Sequence, residues 1–199
     1  MVMGLVADLD HSIVRSLNRW FSGSTFRIDL AKALAVWPLY AVIGLAVLAW
    51  LAGWGDESDR RILLLLGLGG AVLALSGNNI LGSHYYRARP FVAMPSVHLL
   101  IRHSRETSLY SDHLAVAGGL TAGVLAARRW VLGSIAVVAT IALAIGRIGA
   151  GLHYPIDCAA AVAAAVVGMA LLLPVRPLLR PPLRFAAGLE RRIFKRGGT

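Results

Sequence analysis

The sequence predicts an all-α, polytopic membrane helix bundle of about five transmembrane helices, preceded by an N-terminal interfacial helix. Three observations carry that prediction. The chain of 199 residues is 57% hydrophobic and only 15% charged, too apolar for an ordinary soluble domain. Its apolar residues come in blocks close to the length that crosses a hydrocarbon core of roughly 30 Å, separated by polar turns. No alternating strand pattern and no internal repeat stands out, and runs of Ala and Gly in the later blocks allow helices to approach closely.

Residues 1–30 are mixed. Ile13, Val14, Leu17, Trp20 and Phe21 recur at helical spacing among Asp10, Arg15 and Arg19, the pattern of an amphipathic helix lying in the interface with Trp20 at headgroup level. A helix packed on a neighbouring one is the alternative. Residues 31–54 form the first expected span, and a charged turn at 55–61 leads to a second at 62–81. A long polar connection, 82–111, carries His84, Arg87, Arg89, His98, Arg102, His103, Arg105 and Glu106; loops of that length are uncommon and usually functional. The third span covers 112–127, the fourth 131–145, and the fifth begins near residue 154 and ends at 173. Residues 1–175 are expected to form a single domain, and 176–199 a basic cytoplasmic tail.

The formal net charge of +10 resembles that of a nucleic-acid binder, but the basic residues sit in short loops and in the tail, where anionic lipid headgroups are the better partner. No nucleic acid is expected. With five spans, Arg60, Arg61, Arg128, Arg129 and the arginines of the tail fall on one face, which the positive-inside rule assigns to the cytoplasm; the 82–111 loop and the 146–156 loop then face outward. Cys158, the lone cysteine, has no partner for an internal disulfide and reads as a small core residue. The first thirty residues show no cleavable signal-peptide pattern, and the oligomeric state is not legible.

The stretch 146–157 reads Gly-Arg-Ile-Gly-Ala-Gly-Leu-His-Tyr-Pro-Ile-Asp. Ionisable groups at the mouth of an apolar helix are functional candidates. His153 and Asp157 are spaced to share a helical face, so that the carboxylate accepts the proton of one imidazole nitrogen and leaves the other free as nucleophile or base. Pro155 suits a first helical turn. The helix N-terminus favours an anion, and Arg147 adds a planar fork for phosphate oxygens. A second constellation, Ser111-Asp112-His113, opens the third span, with Ser111 as N-cap. Arg89-Pro90 lies in the long loop. Two histidines, two arginines and two helix N-termini on one face describe phosphoryl transfer without a metal. His98 and His103 lack the partners a metal site needs and read as loop-packing residues.

These residues resemble the type 2 phosphatidic acid phosphatase superfamily, whose three blocks are Lys, six residues, Arg-Pro; then Pro-Ser-Gly-His; then Ser-Arg, five residues, His, three residues, Asp. Arg89-Pro90 matches the first, Ser111, Asp112 and His113 the second, and Arg147, His153 and Asp157 the third. Arg-Pro-Phe-Val-Ala at 89–93, Val-His-Leu-Leu-Ile at 97–101 and the Ser-Asp-His form of the second block look most like the bacterial undecaprenyl-diphosphatases of the bacitracin-resistance type. Gly82, Tyr110 and Gly146 stand where the superfamily has Lys, Pro and Ser.

The resemblance implies a membrane phosphatase that converts undecaprenyl diphosphate to undecaprenyl phosphate at the extracytoplasmic face of a bacterial plasma membrane. It implies His153 as the nucleophile forming a phosphohistidine, Asp157 as its orienting group, and His113 as general acid and then base. Arg89, Arg147, Ser111 and the backbone N–H groups of Asp112 and His113 would hold the phosphate, with Arg87 a substitute for the absent lysine. No cofactor and no catalytic metal are implied. The same blocks serve phosphatases of phosphatidylglycerophosphate, phosphatidic acid or diacylglycerol pyrophosphate. A lapsed lipid-phosphate binding protein or transporter is the alternative of another class.

Overall fold

The computed structural model describes residues 2–52 and 58–185, and the described residues contain helices and no strand. In order these are α1 (Val2–Phe21), α2 (Thr25–Leu34), α3 (Trp37–Leu51), α4 (Ser58–His84), the single turn α5 (Pro90–Ala93), α6 (Asp112–Ala126), α7 (Trp130–Gly149) and α8 (Pro155–Leu172). The expected charged turn at 55–61 and the end of the expected tail, 186–199, lie partly or wholly outside the described residues.

Among the described residues, four stretches are long and apolar enough to cross a membrane: Thr25–Leu51, Asp59–His84, Trp130–Gly149 and Pro155–Phe185. The first joins α2 to α3 through a break before Pro38, which enters the first turn of α3, where its missing N–H has no helical partner to lose. The expected third span differs. α6 has 15 residues, about 22 Å at 1.5 Å per residue, short of the hydrocarbon core. It is the central helix, packed against α3, α4, α7 and α8, so protein rather than lipid surrounds it. Irregular backbone at membrane depth is tolerated under such cover.

Small residues set the helix spacing. A Cβ on Gly67 of α4 would lie 2.5 Å from the carbonyl oxygen of Gly119 on α6, and one on Gly70 would lie 2.4 Å from that of Ala165 on α8. These contacts draw α4, α6 and α8 into a tight triangle. By contrast α7 and α8 both pack on α6 but barely touch each other.

α1 is docked on the protein as well as amphipathic. Val14 and Phe21 are buried while Leu9 and Trp20 stay exposed. Phe21 packs where a Cβ on Gly149 would clash at 2.3 Å. Asn18, fully buried, donates to the carbonyls of His98 (2.8 Å) and Gly149 (2.9 Å) and accepts from His98 N–H (2.8 Å). The buried seam of α1 packs on the protein, and Leu9 and Trp20 lie on the face it leaves exposed. At the far end of the chain, residues 176–185, expected to begin the tail, are helical; Arg176 and Arg180 pair with Asp59 at 3.2 and 3.0 Å.

Candidate active site

The C-terminal ends of α4 and α7 and the N-terminal ends of α6 and α8 meet at one end of the bundle, under the loop 85–111. α7 delivers Arg147 in its last turn, buried. The chain then reverses through Gly151, whose φ of 79° is the left-handed conformation that glycine adopts without a Cβ penalty. His153 follows just before α8. The loop is pinned to this corner by main-chain bonds from Phe91 N–H to the Gly151 carbonyl (3.2 Å) and from Leu100 N–H to that of Ala150 (3.3 Å).

His153 is buried. Its Nδ1 lies 3.2 Å from the main-chain carbonyl of Ser108. A carbonyl only accepts, so Nδ1 carries the proton and Nε2 a bare lone pair. That lone pair faces two guanidinium groups, Arg89 Nη1 at 3.2 Å and Arg147 Nη2 at 3.4 Å. The other terminal nitrogen of Arg147, Nη1, lies 3.5 Å from Nε2 of His113. One guanidinium thus spans the two imidazoles. Burial first, and then the charges of Arg147 and Arg89, push the His153 pKa well below its ordinary 6.5, so the ring is neutral at physiological pH.

Arg89 is held by donation from Nε to the Glu106 carbonyl (3.0 Å) and from Nη1 to the Leu152 carbonyl (3.1 Å), which fixes its fork without neutralising it. These groups line a polar cavity of about 330 Å³ that also includes Tyr86, His103, Asn78 and Asn79. Ser111 precedes α6 at the N-cap position, but its side chain makes no capping bond; its Oγ is buried and has no hydrogen-bond partner among the described residues. Asp112 lies in the cavity wall with its carboxylate turned to Asn78 Nδ2 at 2.7 Å, leaving the first-turn N–H groups of α6 without helical partners.

Two expected contacts take a different form. Asp157 does not reach His153. The ring precedes α8 rather than lying on it, and the carboxylate folds back as part of the helix cap, accepting from Tyr154 N–H (3.1 Å) and from the Ser108 hydroxyl (2.5 Å). Ser108 therefore stands between them, with its hydroxyl on Asp157 and its carbonyl on His153. Arg87, expected at the phosphate, is not among the cavity-lining residues; its guanidinium pairs with Asp157 and Asp10 and stacks 4.0 Å over the Tyr154 ring. Two carboxylates, one at each terminal nitrogen, hold that charge away from the cavity.

Ser108, Asp10, His103 and Asn78 were not singled out as site residues from sequence. Asn78 ties α4 to the Tyr110 main chain through both its amide groups, 2.9 and 3.3 Å. His103 donates from Nδ1 to the Ser104 carbonyl at 3.2 Å and lines the cavity rather than merely packing the loop.

The three departures from the family blocks have local reasons. A Cβ at Gly146 would lie 2.4 Å from Ala35 N and Leu34 C, so the junction of α2 and α3 fills the space of the missing serine. Tyr110 replaces proline and anchors the loop by donating its hydroxyl to the Ala74 carbonyl at 2.6 Å. Gly82 lines the cavity, and a Cβ there would be 3.0 Å from Thr107 Cγ2. Among the described residues no three His, Cys, Asp or Glu side chains converge as a metal site.

Comparison with known proteins bears on this geometry. The sequence profile of the PAP2 superfamily matches residues 60–180. The chain is 33% identical to "Undecaprenyl-diphosphatase BcrC" of Bacillus subtilis over 71% of this chain and 70% of that protein. It is 27% identical to "Putative undecaprenyl-diphosphatase YbjG" of Escherichia coli over 82% and 81%. Among solved structures, Aquifex aeolicus LpxE superposes with a TM-score of 0.64 at 16% identity, covering 82% of this chain and 93% of that one, a likeness of fold.

Proposed function

Because the chain belongs to the PAP2 superfamily, we propose that it is a membrane lipid-diphosphate phosphatase that hydrolyses undecaprenyl diphosphate to undecaprenyl phosphate and inorganic phosphate. The observation that carries the reading is the Arg147 guanidinium with one imidazole Nε2 at each terminal nitrogen. In the first step, Nε2 of His153 attacks the terminal phosphorus. The bond from that phosphorus to the bridging oxygen breaks, and His113, protonated at Nε2 once the negative charge of the bound diphosphate offsets Arg147, gives that proton to the departing lipid phosphate. In the second, His113 takes a proton from water, the hydroxide attacks phosphorus, and the P–N bond breaks to return neutral His153.

Arg147, Arg89, the Ser111 hydroxyl and the N–H groups of Asp112 and His113 stabilise the charge on the equatorial oxygens. Asp157 acts on His153 through Ser108, and residues 1–175 serve as one catalytic domain. The names of BcrC and YbjG support the diphosphate substrate. An apolar groove of about 760 Å³ between α6, α7 and α8 suits the prenyl chain; Leu114, Ile148 and Cys158, sequence neighbours of His113, Arg147 and Asp157, line it. The site lies on the extracytoplasmic face of a bacterial plasma membrane, and the basic tail 176–199 meets anionic headgroups on the other.

Phosphate release by the purified chain from undecaprenyl diphosphate, phosphatidylglycerophosphate and phosphatidic acid tests this reading. The diphosphate is expected to turn over at least about tenfold faster, one tenfold step being about 1.4 kcal/mol in the barrier, with activity unchanged by a chelator. A monoester turned over equally well assigns the site to another lipid, and no release from any of them assigns it to binding alone.

The depressed His153 pKa gives a pH signature. The neutral ring persists as pH falls through 6.5, so kcat/KM carries no acidic limb from this group at its ordinary pKa. Arg89→Gln removes one of the charges that lower it and is expected to move that limb toward neutral pH. A limb that stays in place in this variant contradicts the assignment.

A further inference from the structure

α1 lies outside residues 60–180, which match the superfamily profile, yet one of its carboxylates is built into the back of the site. Asp10 is 4% exposed. Its Oδ1 accepts from Ile156 N–H at 3.0 Å, in the first turn of α8, and its Oδ2 pairs with Arg87 Nη2 at 3.1 Å. Arg87 Nη1 pairs with Asp157 Oδ1. Asp157 Oδ2 accepts from the Ser108 hydroxyl at 2.5 Å, and the Ser108 carbonyl accepts from His153 Nδ1 at 3.2 Å. A continuous series of polar contacts therefore runs from α1 to the ring.

We infer that Asp10 is a positioning residue for phosphoryl transfer: it clamps Arg87 and the first turn of α8, and through Asp157 and Ser108 these hold His153 with its Nε2 bare. This rests on the function proposed above. The Arg87 side chain is 36% exposed. Paired with one carboxylate only, it is free to turn toward water; paired with one at each terminal nitrogen, its planar fork has a single orientation. Asp10 also satisfies a first-turn N–H of α8 that the helix itself leaves without a partner, and it places negative charge at that N-terminus. With Arg87 and the α8 turn fixed, Asp157 keeps both oxygens engaged and the Ser108 carbonyl stays aimed at Nδ1.

Asp10 is separable from the docking of α1, because Asn18 bonds the loop and α7, Phe21 packs on Gly149 of α7, and Val14 is buried in the core. Asp10→Asn, which is isosteric, and Asp10→Ala, each made in the full chain, provide the test. Turnover of undecaprenyl diphosphate is measured beside the ¹⁵N spectrum of histidine-labelled protein, with the His153 signal assigned through His153→Gln. The expected result is a fall in kcat of about tenfold, the order set by one hydrogen bond to a charged group, with KM changed less than about twofold. The His153 ring should pass from one tautomer to a mixture. Combining Asp10→Asn with Ser108→Ala should cost less than the product of the separate losses, since both act on one path.

A kcat within about twofold of wild type in both variants, a loss confined to KM, or an unchanged His153 tautomer overturns the inference. Absence of phosphate release by the wild type is a different failure, that of the proposed function; the tautomer of His153 in the two variants then decides alone whether Asp10 positions the ring.

Discussion

Replacing His153 by alanine is expected to lower turnover of the lipid diphosphate by about four orders of magnitude or more, the usual cost of removing a nucleophile that no other group replaces. His113 and His103 also line the cavity, but neither shares the His153 arrangement: His113 Nε2 faces the one guanidinium of Arg147, and the Nδ1 proton of His103 goes to the Ser104 carbonyl. The substitution leaves Arg89 and Arg147 in place with their imidazole acceptor gone, so KM should stay level or fall. Phosphate release with a KM determination checks both statements. His113→Ala should cost less, about 10² to 10⁴-fold, and a substrate whose leaving group needs no proton should restore the first step.

Arg147→Lys is expected to reduce kcat by about 10² to 10³-fold even though the charge is kept. The guanidinium reaches both imidazoles because its two terminal nitrogens diverge, 3.4 Å from His153 and 3.5 Å from His113. An ammonium is a single point and can serve one of them. Arg147 is buried in the wall of the polar cavity, where its reach to both rings depends on the guanidinium fork. Single-turnover kinetics should show both formation and breakdown of the intermediate slowed, since the same fork faces both transition states. Retention of more than about a tenth of wild-type kcat contradicts this placement.

The helical membrane bundle and the convergence of His113, His153, Arg89 and Arg147 were legible in the sequence, because block length, helix-end residues and motif spacing are local signals. The partners of those residues were not. Nothing local shows that Ser108 would lie between Asp157 and His153, since that contact depends on a helix cap claiming the carboxylate. Arg87 read as a phosphate ligand because its second carboxylate comes from Asp10, 77 positions away. The period of α1 identified a buried seam but not whether lipid or protein covers it. α6 read as an ordinary span because composition does not reveal that other helices surround it. Gly146 read as a lost hydroxyl, and the fold accounts for it by the backbone of α2 and α3 packed where that side chain would be. His103 carried a faint signal, a histidine in an unusually long loop, without a partner at fixed spacing to sharpen it.

The central claim is that His153 and His113 act in turn on one phosphorus atom, and trapping the covalent intermediate tests it most directly. With ³²P in the transferable phosphate of a substrate whose leaving group needs no proton, the His113→Ala variant forms the intermediate but lacks the base that breaks it down, and after quenching in alkali it should carry label that is stable to base and labile to acid. After proteolysis that label should sit on the peptide containing His153. Turnover without any labelled protein, or label on a peptide lacking His153, would contradict the account.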